Sequence, residues 1–247
     1  MSNTYNPRQY WEQRLNSNFT LKGVGHIGFS ESYNNWLYRR KELCIESCLS
    51  GTSLQGKNVL DIGCGTGFFV NWYIGKGANI TGIDITDVSI EKLKQKYEGE
   101  FYTQDITDSN FSLFNKKFDI VNIWDVIYHI VDPNLFNQAL DNIARSIKDG
   151  GLLLLTDWFG ASSDKRIGNH VQARCLDTYN QILPNKGFEL IEIYPLYYHL
   201  NNVHVRILDN YLGKLYFELD NRNQKIPKNN LSLGLWRYNQ KNVQSSQ

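Results

Sequence analysis

Three observations predict a doubly wound, mostly parallel α/β fold. Short apolar runs alternate with segments of helical pattern. A glycine-rich turn joins the first run to the first of these helices. Acidic residues stand at the ends of successive runs. Such alternation indicates βαβ units and a parallel sheet.

The elements follow in order. Trp11, Leu15 and Phe19 recur every four residues, as on one face of a short helix. Lys22 to Phe29 is glycine-rich and reads as a loop. Tyr33, Trp36, Leu37, Leu43, Cys44 and Cys48 fit a longer helix. Strands are expected at Asn58 to Ile62, Ala78 to Ile83, Glu100 to Tyr102, Phe118 to Trp124 and Leu152 to Thr156. Helices are expected at Phe68 to Ile74, at Asp87 to Tyr97 with Asp87 as N-cap, and from Asp132-Pro133 to Ile147. Asp149-Gly-Gly reads as a turn. A helix over Val171 to Leu183, a strand over Glu189 to Tyr194, a helix marked by Leu208, Leu212, Leu215 and Leu219, and a strand over Leu231 to Tyr238 complete the chain. The organisation expected is an N-terminal helical cover (1–50), an α/β core (51–160) and the remainder of the sheet with a substrate cover (161–247), all in one structural domain.

Composition excludes several classes. In 247 residues, hydrophobic residues are 41% and charged residues 21%, which suits a globular chain. Lys+Arg number 26 against 25 Asp+Glu, so no global field attracts nucleic acid. Four cysteines make no disulfide framework in a chain of this length. The longest apolar run is Leu152 to Leu155, too short for a bilayer, and the opening residues lack an apolar signal core. A cytoplasmic protein without membrane or nucleic-acid partners is the expectation.

Two glycine patterns compete for a ligand. Gly23-Val-Gly25-His-Ile-Gly28 satisfies a dinucleotide expression, but no strand precedes it and no helix starts on it. Asp61-Ile-Gly63-Cys-Gly65-Thr-Gly67 sits between a strand and a helix, where a doubly wound sheet binds ligand. Phe68 stands where a dinucleotide fingerprint has its third glycine, which disfavours tight pyrophosphate docking. Asp84 ends the second strand, where a carboxylate accepts from ribose hydroxyls. Asp105 follows the third strand, where it could accept from a base amine. Together these describe a nucleoside site without a phosphate grip.

At this point the sequence resembles the class I S-adenosylmethionine-dependent methyltransferases of small-molecule type. V-L-D-I-G-C-G-T-G (Val59 to Gly67), G-I-D-I (Gly82 to Ile85), Q-D-I (Gln104 to Ile106), F-D-I-V-N-I-W-D-V-I-Y-H (Phe118 to His129) and D-P (Asp132, Pro133) occur in order. The resemblance implies a Rossmann-like, seven-stranded sheet with an antiparallel last strand, and S-adenosylmethionine as cofactor. It implies Asp61, Gly63 and Gly65 at the methionine end, Asp84 at the ribose, and Ile85, Asp105 and Ile106 around the adenine. It places Trp124 and Asp125 at the sulfonium and acceptor.

The acceptor expected is a small molecule or short peptide, methylated at oxygen. N-methylation and a non-catalytic nucleoside-binding protein are the alternatives. His129 is the first candidate base, because imidazole titrates near neutral pH, and Asp125 the second. Tyr10 and Trp11 are expected over the cofactor, and Tyr33, His170, Arg174, Tyr197 and His199 toward the acceptor. Each has a plainer reading. Asp84 and Asp105 could be caps, His129 could pack beside Pro133, and Cys44 with Cys48 could simply pack. Asp125 and Asp157 could begin a magnesium site, but Trp158 stands where a third oxygen ligand would. No metal is expected.

Overall fold

The computed structural model describes residues 5–113, 116–202 and 208–241. In strand β1 (Asn58–Ile62), Val59 packs into one hydrophobic layer, while Leu60 and Ile62 pack into the other. That two-sided burial is the signature of a central parallel strand.

Three helices precede it: α1 (Pro7–Ser17), α2 (Leu21–Val24) and α3 (Glu31–Cys48). Asn6 caps α1 with Pro7 in its first turn, and the Ser30 side chain caps α3 by accepting from Tyr33 N at 3.1 Å. The expected loop at Lys22 to Phe29 therefore begins with one turn of helix, started by a Thr20 cap. Phe19 lies beyond α1, under the ammonium of Lys92 at 4.2 Å.

After β1 come α4 (Phe68–Gly75), β2 (Asn79–Asp84), α5 (Asp87–Lys96), β3 (Glu100–Thr103), β4 (Phe118–Ile123) and α6 (Pro133–Ser146). Thr86, not Asp87, is the N-cap residue of α5. Asp132 caps α6 as expected, accepting from Asn134 N and Leu135 N at 2.8 and 3.0 Å. Strand β5 (Ile147–Asp157) starts earlier than its apolar run. It absorbs the Asp149-Gly-Gly turn as an irregularity, with Gly150 at a φ of 76°.

The next region departs from the expected single helix. A small hairpin, β6 (Lys165–Ile167) with β7 (Val171–Ala173), comes first, and α7 (Leu176–Ile182) is short. The alternation of buried Val171 and Ala173 about Gln172 has the period of a strand. Then β8 (Phe188–Pro195), α8 (Asp209–Arg222) and β9 (Ser232–Tyr238) close the chain. Residues 203–207 and 242–247 of the expected third segment lie outside the described residues, as do residues 1–4 of the first.

The seven-stranded sheet runs β3-β2-β1-β4-β5-β9-β8, and β9 is antiparallel to both its neighbours. Residues from α3, α4, α5 and α8 cover one face, and residues from α6 and α7 cover the other. Strand order reverses between β1 and β4, which places a ligand crevice at their carboxyl ends. Among the described residues no helix is long and apolar enough to cross a membrane.

Candidate active site

A cleft of about 1000 Å³ opens at the carboxyl ends of β1 to β4, under α1 and α3. Its floor is the glycine turn. Gly63 and Gly65 adopt φ values of 72° and 49°, in the left-handed region that disfavours a side chain. A Cβ on Gly63 would overlap the Val126 side chain, and one on Gly65 would lie 2.9 Å from Val24. Asp84 pins this turn: its Oδ2 accepts from Gly65 N at 2.9 Å. Its Oδ1 accepts from Thr86 N and Oγ1 at 2.9 and 2.7 Å. A carboxylate has about four acceptor positions and three are taken, so about one remains for a further donor.

Asp61 is buried at the end of β1. Asn122 of β4 donates to its Oδ1 at 2.7 Å, while Oδ2 is buried without a hydrogen-bond partner. Burial raises the Asp61 pKa to about 7, against the Asn122 hydrogen bond, with the nearby Asp84 charge adding to the rise. Asn122 is a hub that the sequence reading missed. It also accepts from Trp124 Nε1 at 2.7 Å and Tyr73 Oη at 3.2 Å, which fixes the Trp124 ring against Phe69.

The far end of the cleft carries Ile85, Asp105 and buried Ile106. Asp105 Oδ1 accepts from Thr107 N and Oγ1 at 2.8 and 2.7 Å. Thr66 Oγ1 and Gln104 Oε1, both of cleft-lining residues, are also buried without partners.

At the β4 end, Asp125 has a φ of 57°, a conformation uncommon outside glycine and frequent where function demands it. Its N–H donates to Thr156 Oγ1 at 2.9 Å. Its carboxylate is ion-paired with Lys41 of α3, a buried lysine whose ammonium also lies 4.0 Å from the Tyr38 ring centre. Burial acts to lower the Lys41 pKa, but the Asp125 charge and the Tyr38 contact outweigh it, leaving a net rise. Sequence reasoning overlooked Lys41. The available signal was a lysine on the same helical face as Leu37, Cys44 and Cys48.

His129 is half-buried in the cleft wall beneath Trp11, with ring centres 5.3 Å apart. Its Nδ1 lies 2.9 Å from the His170 carbonyl oxygen, so Nδ1 carries the proton and Nε2 keeps its lone pair. Burial lowers its pKa to about 4, against the pull of that hydrogen bond.

Six of the expected side chains lie outside the cleft lining. Tyr10 stacks on His170 and accepts from Arg14 at 3.2 Å. His170 contributes its backbone carbonyl, not its ring. Arg174 is buried, donates to the carbonyls of Ile130, Gln172 and Ile127, and covers the Phe136 ring. Tyr197 is buried and donates to Leu37 O at 3.2 Å. His199 N donates to Asp220 at 2.7 Å, and Tyr33 is packed against Phe29. Asp157 is engaged on both oxygens, by Tyr179 Oη at 2.6 Å, Trp158 N at 2.8 Å and Arg174 N at 3.0 Å. Burial lifts its pKa to about 7, against the hydrogen bonds from Tyr179, Arg174 and Trp158.

A family model described as a methyltransferase domain matches residues 36–193, more than half of the chain. The chain belongs to the methyltransferase-domain family. Its sheet order is that of the class I methyltransferase fold. A ubiquinone biosynthesis O-methyltransferase of Coxiella burnetii is 30% identical over 107 residues, covering 42% of this chain and 44% of that protein. The enzyme of the same name from Paracidovorax citrulli is 36% identical over 104 residues, 40% and 42% of the two chains. This methyltransferase chain thus spans less than half the length of the curated relatives it matches. Among solved structures, the N-methyltransferase NodS of Bradyrhizobium japonicum with S-adenosyl-L-homocysteine superposes with a TM-score of 0.62 at 19% identity, over 95% and 99% of the chains. The magnesium protoporphyrin IX methyltransferase of Synechocystis with bound S-adenosylmethionine gives 0.62 at 17%, over 96% and 100%. At these identities the likeness shows the fold.

Proposed function

We propose that the protein transfers a methyl group from S-adenosylmethionine to an oxygen of a small or medium-sized acceptor: a metabolite, a sugar or a modified peptide. The observation that carries this reading is Asp61 Oδ2, a buried carboxylate oxygen without a partner at the floor of a glycine-built cleft. An unpaired buried acceptor is costly, and a cationic amine would satisfy it.

The residues present fit the cofactor from end to end. Asp61 would take the methionine ammonium, and Lys41, the buried cation of the wall, its carboxylate. Asp84 would accept from a ribose hydroxyl at its one remaining acceptor position. Asp105 would accept from the adenine amine between Ile85 and Ile106. Gly63 and Gly65 leave space that side chains would fill. When bound, S-adenosylmethionine supplies an electrophilic methyl on a sulfonium leaving group. Much of the remaining work is alignment and exclusion of water. Trp11, Tyr38, Phe68 and Trp124 line the cleft and do the excluding.

His129 Nε2, unprotonated but made a weaker base by burial, takes the acceptor's hydroxyl proton as the methyl transfers rather than beforehand. The His170 carbonyl holds the tautomer that leaves Nε2 free for this. Asp125, already paired with Lys41, orients the acceptor end rather than taking its proton. A screen of hydroxyl, carboxylate and amine acceptors, read by adenosylhomocysteine release, tests the reading. Release with hydroxyl acceptors is expected. Release with amines alone moves the methylated atom to nitrogen, and no release with any acceptor leaves a nucleoside-binding protein.

A further inference from the structure

Helix α8 carries an apolar stripe that the cleft does not use. Leu208, just before its start, and Tyr211, Leu215 and Leu219 within it are 44%, 78%, 51% and 38% exposed. Their spacing by three and four residues puts them on one side of the helix. The opposite side holds the helix to the fold. Gly213 lies against Trp36 and Tyr33, Phe217 packs on Trp36 at 5.0 Å, and Asp209 accepts from Ser30 N at 2.7 Å. Asp220 accepts from Tyr198 N, His199 N and Leu200 N at 3.1, 2.7 and 3.0 Å. The helix is therefore anchored through its buried face, and its leucines are displayed outward. A contiguous exposed apolar stripe marks an association surface.

The flanking charges say what covers it. Lys214 and Glu218 are both exposed and stand one helical turn apart along one edge of the stripe. When two copies of such a helix pack antiparallel, each edge meets the same edge of its mate. With the dyad midway between Leu215 and Tyr216, Tyr211 of one copy meets Leu219 of the other and Leu215 meets its own mate, each to within about one residue's rise. Lys214 of each copy then faces Glu218 of the other, which makes two reciprocal ion pairs. Neither a membrane surface nor an unrelated groove calls for alternating charges that satisfy themselves by a twofold rotation. We infer that the stripe on α8 is the isologous interface of a homodimer.

Sedimentation of the full chain at about 100 µM tests this, in a range where weak symmetric pairs associate. The wild-type chain should sediment as a dimer that dissociates on dilution. Leu215→Glu buries two carboxylates against each other at the dyad and should weaken association by about a hundredfold or more. Lys214→Glu and Glu218→Lys should each weaken it, because like charges then face each other. An equimolar mixture of those two single variants should associate again, since each copy then presents the charges the other lacks. Damage to the helix would not be repaired by mixing. A wild-type chain that stays monomeric, a dimer indifferent to Leu215→Glu, or a mixture that fails to recover would each overturn the inference.

Discussion

Lys41 of α3 and Asp125 at the end of β4 form an ion pair between the N-terminal cover and the sheet, with the lysine side chain almost wholly buried. Breaking a buried pair from one side leaves an uncompensated charge, which costs about 3–5 kcal/mol. Lys41→Met should therefore lower the denaturant midpoint strongly. Lys41→Met with Asp125→Asn should recover most of that loss, because both charges then leave together. If Lys41→Met lowers stability by less than about 1 kcal/mol, the pair is not holding the cover to the sheet.

His129 should be neutral throughout the physiological range, with its ring titrating near pH 4 rather than 6.5. The lowered value means that acid must reach about pH 4 before this imidazole is protonated, so His129 itself contributes no activity limb near 6.5. His129→Ala should cut methyl transfer by about 10²–10⁴ while cofactor affinity holds. Ring proton shifts followed by NMR locate the titration. A rate within about threefold of wild type would mean that Asp125 is the base, or that the acceptor is a carboxylate needing none.

Asp61 supplies a second pH signature. With its carboxyl raised to about 7, part of the population is protonated at neutral pH in the free protein. A methionine ammonium binds the ionised form, so cofactor affinity should rise with pH through about 7. Binding below that pH should release a proton, visible as a buffer-dependent heat. Affinity that is flat from pH 6 to 8 would place the ammonium elsewhere.

The N-terminal cover reaches the core through Glu12, whose carboxylate accepts from Asp87 N and Val88 N at 2.9 and 3.2 Å, satisfying the open N-terminus of α5. Trp11, its neighbour, lies over His129. Hydrogen exchange with adenosylhomocysteine should therefore protect Tyr10 to Arg39 as well as Gly63 to Gly67. Protection confined to the glycine turn would make the cover static packing.

Within the candidate site, the residues proposed for the cofactor are more legible in the sequence than those expected to face the acceptor. Asp61, Gly63, Gly65, Asp84 and Asp105 are fixed by local geometry, each at a strand end or in its turn, so a linear motif contains them. Lys41 and Tyr38 reach the cleft, and the His170 carbonyl reaches His129, through tertiary packing that no local pattern encodes. The same limit explains Arg174 and Tyr197. Both lie in the region expected to face the acceptor, yet Arg174 ties down three backbone carbonyls and Tyr197 braces α3. The helix expected over Val171 to Leu183 failed for a related reason. Its first residues had a strand's alternation over three positions, too few to outweigh the helical run that follows.

The central claim is that the cleft at the ends of β1 to β4 takes S-adenosylmethionine, and calorimetry with adenosylhomocysteine on wild type and Asp84→Ala tests it most directly. One site per chain is predicted, with affinity in the micromolar range, on the order of −8 kcal/mol. In Asp84→Ala, losing the ribose acceptor and the Gly65 pin should weaken binding by about tenfold to a hundredfold. No binding heat in the wild-type chain, or equal affinity in the two proteins, would contradict the account.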